Sequence, residues 1–162
     1  MIGIDNDLYR AILLKGFKGK GVDLGRLLRQ LTKKQKILGV EKDQAVFDMR
    51  QLVDEYDSVF KMPRKLHLRV ASTKGNKTLY WRLPGTSGNQ PYIRIFQTDK
   101  GKDLLSTITP YHLELLKDYE LKRVIINYRY SSVSKQISAL TTTSENLADF
   151  EKTISLQQFS IS

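Results

Sequence analysis

The sequence predicts an α+β fold: an N-terminal helical hairpin, a three-stranded antiparallel meander and a long C-terminal helix. Three observations predict it. Apolar residues recur every three or four positions through residues 24–60, they alternate with polar ones across 65–97, and the three–four spacing returns after Pro110. The length, 162 residues, favours a single domain over 1–162, helical at 5–60, stranded at 65–97 and helical again at 110–156.

Residues 5–16 (DNDLYRAILLKG) read as a short helix, with Asp5 or Asn6 as cap and Gly16 as stop. The cationic loop FKGKG follows. Asp23 then precedes LGRLLRQLTKKQKILG, where Leu24, Leu27, Leu28, Leu31 and Leu38 fall at helical spacing and Gly39 offers a C-terminal stop. In residues 41–60 the stripe is Val46, Met49, Val53, Tyr56 and Phe60. A turn at Gly39 would fold these two helices into an antiparallel hairpin.

The middle of the chain changes period. Leu66, Leu68 and Val70 alternate with His67 and Arg69. Leu79, Trp81 and Leu83 alternate with Tyr80 and Arg82, and Ile93 and Ile95 with Tyr92, Arg94 and Phe96. Period two marks half-buried strands. Lys74-Gly75-Asn76 supplies the first turn, and PGTSGNQP the second connection. After TDKGKD, Thr109-Pro110 is a helix start with proline at the first helical position. The run VIINYRY favours strand locally. Yet Leu116, Tyr119, Ile126, Tyr130, Val133, Ile137, Leu140, Leu147 and Ile154 keep helical spacing through it, so the long pattern prevails; TTTS at 141–144 leaves a break open.

The net charge of +10 is unevenly spread. Residues 10–42 carry a net +8 and 61–102 a net +9, while 43–57 between them carry −4. Two basic blocks around an acidic helix suggest a polyanionic partner, most often nucleic acid. With no cysteine, thiolate and disulfide chemistry are excluded, and a reducing compartment is favoured. No apolar run is long enough to span a bilayer. The opening MIGIDNDLYR has two aspartates where a secretory leader has basic residues, so the expected location is cytoplasmic.

Alternation decides the role of KTLYWRL (77–83). Leu79, Trp81 and Leu83 share the core face. Tyr80 and Arg82 share the other with His67, Arg69, Tyr92, Arg94 and Phe96. Such a face can stack unpaired bases on its rings and hold phosphates with its guanidiniums. The plain alternative is a face covered by a helix, with arginines reaching its edge. Along the second helix Arg26, Arg29, Lys33 and Lys36 stand opposite the leucine stripe, spaced to meet successive phosphates. The alternative there is an ordinary solvated helix face. With Arg69, Tyr80, Arg82, Tyr92 and Arg94 of the sheet face, Lys18 and Lys20 of the FKGKG loop, and Lys74 and Lys77 of the hairpin, these four make up the expected nucleic-acid-binding set.

Enzymatic signals are missing. GFKGKG lacks the terminal Lys-Ser/Thr of a phosphate-binding loop and follows no strand. His67 and His112 are far apart and form no metal motif. The acids Asp43, Asp48, Asp54, Glu55 and Asp57 crowd one helix and read as a solvated or partner-facing surface, not as a two-metal cluster. The expectation is a protein without catalysis, metal or cofactor.

Three stretches, LLKGFKGKGVDL at 13–24, LYWRL at 79–83 and RVIINYRYSSVSKQ at 123–136, resemble a family encoded on integrative and conjugative elements of proteobacteria, sometimes described as integrase regulators. The family has no established activity. PGTSGNQP is a larger insertion than its pattern shows. What the resemblance implies is a mobile-element setting, DNA rather than RNA, a partner protein of a DNA-processing complex, and a helical last segment. The leading expectation is therefore a nucleic-acid-binding accessory protein that holds the backbone, with single strands slightly favoured. The alternative is an interaction module that docks a partner protein or self-associates through its helices.

Overall fold

The computed structural model describes residues 23–61, 64–85 and 92–159. The architecture is α+β: helices around a three-stranded antiparallel sheet, with a long helix at the C-terminal end. The expected helix at 5–16 lies outside the described residues.

Helix α1 spans Leu24–Val59. Asp23 caps it, its Oδ1 accepting from the Arg26 N–H at 2.9 Å. The expected hairpin turn at Gly39 is absent; the helix runs through it. The reason lies in the stripe. Buried Leu27, Leu31 and Leu38 continue in phase into Ala45, Met49, Leu52 and Tyr56, with two helical turns between Leu38 and Ala45. A mid-helix glycine costs only about 1 kcal/mol against alanine, too little to interrupt that burial.

Strands β1 (His67–Thr73) and β2 (Asn76–Arg82) pair in register, Leu68 opposite Trp81 and Arg69 opposite Tyr80. Lys74 and Gly75 form the turn with φ of 49° and 81°, the left-handed pair that a two-residue hairpin requires. Leu68, Leu79 and Trp81 are buried, as alternation requires. Strand β3 is shorter than expected. It holds only Tyr92–Ile93, beside Arg82 and Trp81. The chain then turns, with the Gln97 and Thr98 N–H groups both donating to the Arg94 carbonyl. Ile95 enters the core and Phe96 packs against it, so Phe96 does not join the aromatic face.

Helix α2 (Asp99–Ser106) lies between the expected strands at 65–97 and the expected helix at 110–156. Thr98 caps it by accepting from the Gly101 N–H at 3.1 Å. Gly101 is buried against Ile95; a Cβ there would fall 2.3 Å from the Ile95 carbonyl oxygen. Helix α3 runs from Pro110 to Phe159. VIINYRY lies within it, as the long periodicity predicts, and TTTS does not break it. Thr141 and Thr143 turn their hydroxyls back onto the carbonyls of Ile137 and Ala139 at 2.9 Å, which absorbs the local preference for other backbone shapes. None of the helices is long and apolar enough to cross a membrane among the described residues.

Contacts divide the chain into two compact units. One includes residues 23–40 and 133–159. There Leu27, Leu31, Leu38 and Val133 are buried, and the Gln35 amide donates to the Thr141 hydroxyl at 3.1 Å. The other is residues 41–132, where α1 and α3 cover the Trp81 side of the sheet. At the centre of this core, the Tyr56 ring meets those of Trp81 and Tyr119 edge-on at 5.4 and 5.3 Å. Trp81 is 1% exposed. Its indole N–H donates to Glu120 at 2.6 Å, and Arg123 grips both oxygens of that carboxylate at 2.7 and 2.8 Å. Burial, the largest single influence, opposes the Glu120 charge. The hydrogen bonds from Arg123 and Trp81 outweigh it and hold the pKa below the usual carboxylate value.

Candidate nucleic-acid interface

The register of the sheet builds the candidate site. His67 lies opposite Arg82, Arg69 opposite Tyr80 and Arg82 opposite Tyr92. All five point away from the Trp81 core, because strand neighbours alternate. The Tyr80 and Tyr92 rings are 4.1 Å apart between centroids, inclined at 44°. Tyr92 is 64% exposed. Arg82 is half-buried, and its Nε has no hydrogen-bond partner among the described residues.

The arginines at the β1 edge are held by an acid. Asp57 near the end of α1 takes Arg69 on both oxygens at 3.2 Å and also pairs with Arg64. Arg69 further donates to the Leu68 carbonyl at 2.8 Å. His67 Nδ1 lies 3.4 Å from Arg69. Burial first, then Arg69, Arg64 and Arg82, push the His67 pKa below 6.5, against the pull of Asp57. At this corner of the sheet the neutral imidazole is therefore the favoured form.

Of the expected set, the structure brings together Arg69, Tyr80, Arg82 and Tyr92. Lys77 alternates onto the same side as Leu79, near the tip of the hairpin, and exposed Lys74 sits in the turn itself. Arg94 is exposed but lies past the end of β3, outside the platform. Arg26, Arg29, Lys33 and Lys36 are all exposed on α1, in the other unit. Lys18 and Lys20 lie outside the described residues.

Two residues at the site went unread. Asp57 was grouped with a solvated acidic face, and Arg64 was not singled out. The acidic stretch is in fact largely engaged: Asp48 pairs with Arg129 at 2.9 Å, Glu55 with Lys122 at 3.3 Å, and Asp57 with Arg64 and Arg69. Part of the negative charge between the two basic blocks is thus spent inside the fold. Among the described residues, no cluster of three or more His, Asp or Glu could hold a metal ion.

Comparison of the chain with protein-family models, curated proteins and solved structures returns no match.

Proposed function

We propose that this protein is a non-enzymatic nucleic-acid-binding accessory protein that grips the sugar-phosphate backbone and stacks unpaired bases. The observation that supports this most is the Tyr80–Tyr92 pair, its rings 4.1 Å apart on the face away from the core, with Arg69 and Arg82 beside it. An exposed ring offers a stacking surface to any base, and guanidiniums hold phosphate without reading sequence. The exposed row Arg26, Arg29, Lys33 and Lys36 adds backbone contacts. DNA in the cytoplasm, beside the processing machinery of a mobile element, is the setting that the resemblance implies and that the cysteine-free, basic composition suits. The test is binding of fluorescent single- and double-stranded oligonucleotides across a salt series. Salt-dependent binding that favours single strands is expected, and no binding at low salt would overturn the reading.

A second reading, self-association through α3, is favoured by one observation. Leu121, Val124, Ile125 and Tyr128 recur at i, i+3, i+4 and i+7 and are all exposed, Tyr128 most of all. Light scattering coupled to size exclusion distinguishes the two. A dimer that dissociates on Leu121→Glu with Ile125→Glu supports self-association.

A further inference from the structure

We propose that a pocket in the 41–132 unit binds a small amphipathic anion, a single ring or short alkyl body joined to one phosphate or carboxylate. The pocket has a volume of about 300 Å³, at the lower end of the range for small-molecule sites. It lies apart from the tyrosine pair and does not depend on nucleic-acid binding.

Its two chemistries are segregated. Tyr56, Phe60 and Ile108 give it apolar walls, while Lys61, Arg64 and Lys65 line it with positive charge, and among the described residues no carboxylate lines it. Several polar wall groups already have partners; Thr109 and His112 meet each other at 2.8 Å. The Tyr56 hydroxyl is spent on the Leu66 carbonyl at 2.8 Å, so Tyr56 offers only its ring. Lys65 gives two ammonium hydrogens to Thr107, at 3.1 Å to the carbonyl and 3.0 Å to the hydroxyl, and among the described residues keeps the third. Arg64 spends both terminal nitrogens on Asp57, yet its Nε is buried with no hydrogen-bond partner among the described residues. That Nε is closed to solvent, so Arg64 acts on the pocket through its charge, which an incoming oxygen anion would complement. An apolar ligand would bring no acceptor to the Lys61 and Lys65 ammonium groups, and a bare inorganic anion would leave the aromatic walls wet. One molecule carrying both features satisfies the whole lining.

The experiment is calorimetric titration of the full chain with phenyl phosphate, phenol and inorganic phosphate. Phenyl phosphate should bind at least tenfold more tightly than either fragment. Arg64→Gln should weaken it about tenfold. Because Arg64 also braces Asp57, Lys61→Gln is the second variant: Lys61 is exposed, and the change should weaken phenyl phosphate several-fold while leaving the fold intact. Emission from Trp81, whose ring lies 5.4 Å from that of Tyr56, reports both the integrity of the fold and occupancy of the pocket. Phenyl phosphate binding no tighter than inorganic phosphate or phenol, or equally well to the parent and both variants, would overturn the proposal.

Discussion

Asn127 of α3 does for Leu79 what a neighbouring strand would do. Its side-chain oxygen accepts the Leu79 N–H at 2.8 Å, and its amide donates to the Leu79 carbonyl at 2.8 Å. β3 pairs only with Trp81 and Arg82, so the rest of that β2 edge has no strand beside it among the described residues. Arg123 adds a second donor to the Leu79 carbonyl at 3.2 Å, and the Tyr130 hydroxyl reaches the Gly75 carbonyl at 3.4 Å. Open edges recruit other chains; here a helix closes one with side chains. Asn127→Leu should cost about 1–3 kcal/mol, the usual toll of a buried backbone group left unpaired. It should also raise aggregation on partial unfolding. Urea denaturation with light scattering checks both.

The same substitution should have opposite signs at two helical glycines. At Gly39 an added Cβ meets nothing within 4 Å, and alanine should gain up to about 1 kcal/mol in helix propensity. At Gly101 the Cβ would collide with the Ile95 backbone. Gly101→Ala should lose about 1–3 kcal/mol, as overpacked sites do. Thermal unfolding of the two variants side by side decides this.

Trp81→Ala should cost about 3–5 kcal/mol, the range for a truncated core aromatic. Glu120 adds a distinct signature. Its pKa is held below the carboxylate norm, so the associated stability is present above the unfolded-state pKa and is lost as pH falls through the folded-state one. The Trp81→Phe variant, which removes the indole donor, should therefore narrow the stability gap to the parent in acid. Unfolding curves at neutral pH and in acid measure it.

His67 gives a second pH dependence, nearer neutrality. Burial and its arginine neighbours lower its pKa from 6.5. The neutral ring is favoured in the fold, so stability is present above 6.5 and declines as pH falls through the lowered value. His67→Gln should flatten the profile there. A phosphate bound among Arg69, His67 and Arg82 would raise the His67 pKa again. Oligonucleotide affinity should then climb as pH falls through the same window, and that climb should vanish in His67→Gln.

The two basic surfaces should separate in a salt titration. Arg29→Ala with Lys33→Ala should weaken binding to every nucleic acid and flatten the plot of log affinity against log salt, by roughly 0.7–0.9 per lost phosphate contact. Tyr80→Ala with Tyr92→Ala should leave that slope nearly unchanged, cost roughly 1–3 kcal/mol per stacked base, and spare duplex. Equal losses on single strands and duplex would count against the stacking role.

How legible this was from sequence depends on the range of the physics involved. The β1–β2 alternation, the Lys74-Gly75 turn and the helical character of VIINYRY are local or periodic, and they read correctly. Gly39 misled because a C-terminal stop and a tolerated interior glycine look alike without the packing on either side. Helix α2 was hidden by Gly101, whose purpose is a tertiary approach to Ile95. The spacing of Leu104, Leu105 and Ile108, which pack against the core, was the signal available. At the candidate site, alternation picked out Arg69, Tyr80, Arg82 and Tyr92. It also carried Arg94 and Phe96 along, because the early end of β3 is set by where Ile95 must go. The clamp of Asp57 on Arg64 and Arg69 joins a helix end to a loop and to a strand, and no spacing rule encodes it.

The two-residue turn at Lys74-Gly75 carries a kinetic consequence. It brings Thr73 and Asn76 together at once, so the hairpin can close within roughly 1–10 μs, as hairpins do. The seam that Asn127 makes with Leu79 spans 48 residues of chain and must wait for α3 to arrive. Hairpin contacts are then expected in the folding nucleus and the Asn127 seam after it. Gly75→Ala, at a φ of 81°, should act mainly by slowing folding, whereas Asn127→Leu should act mainly by speeding unfolding. The edge expected to close last should also be the first to open, and the unfolding rate of Asn127→Leu measures it.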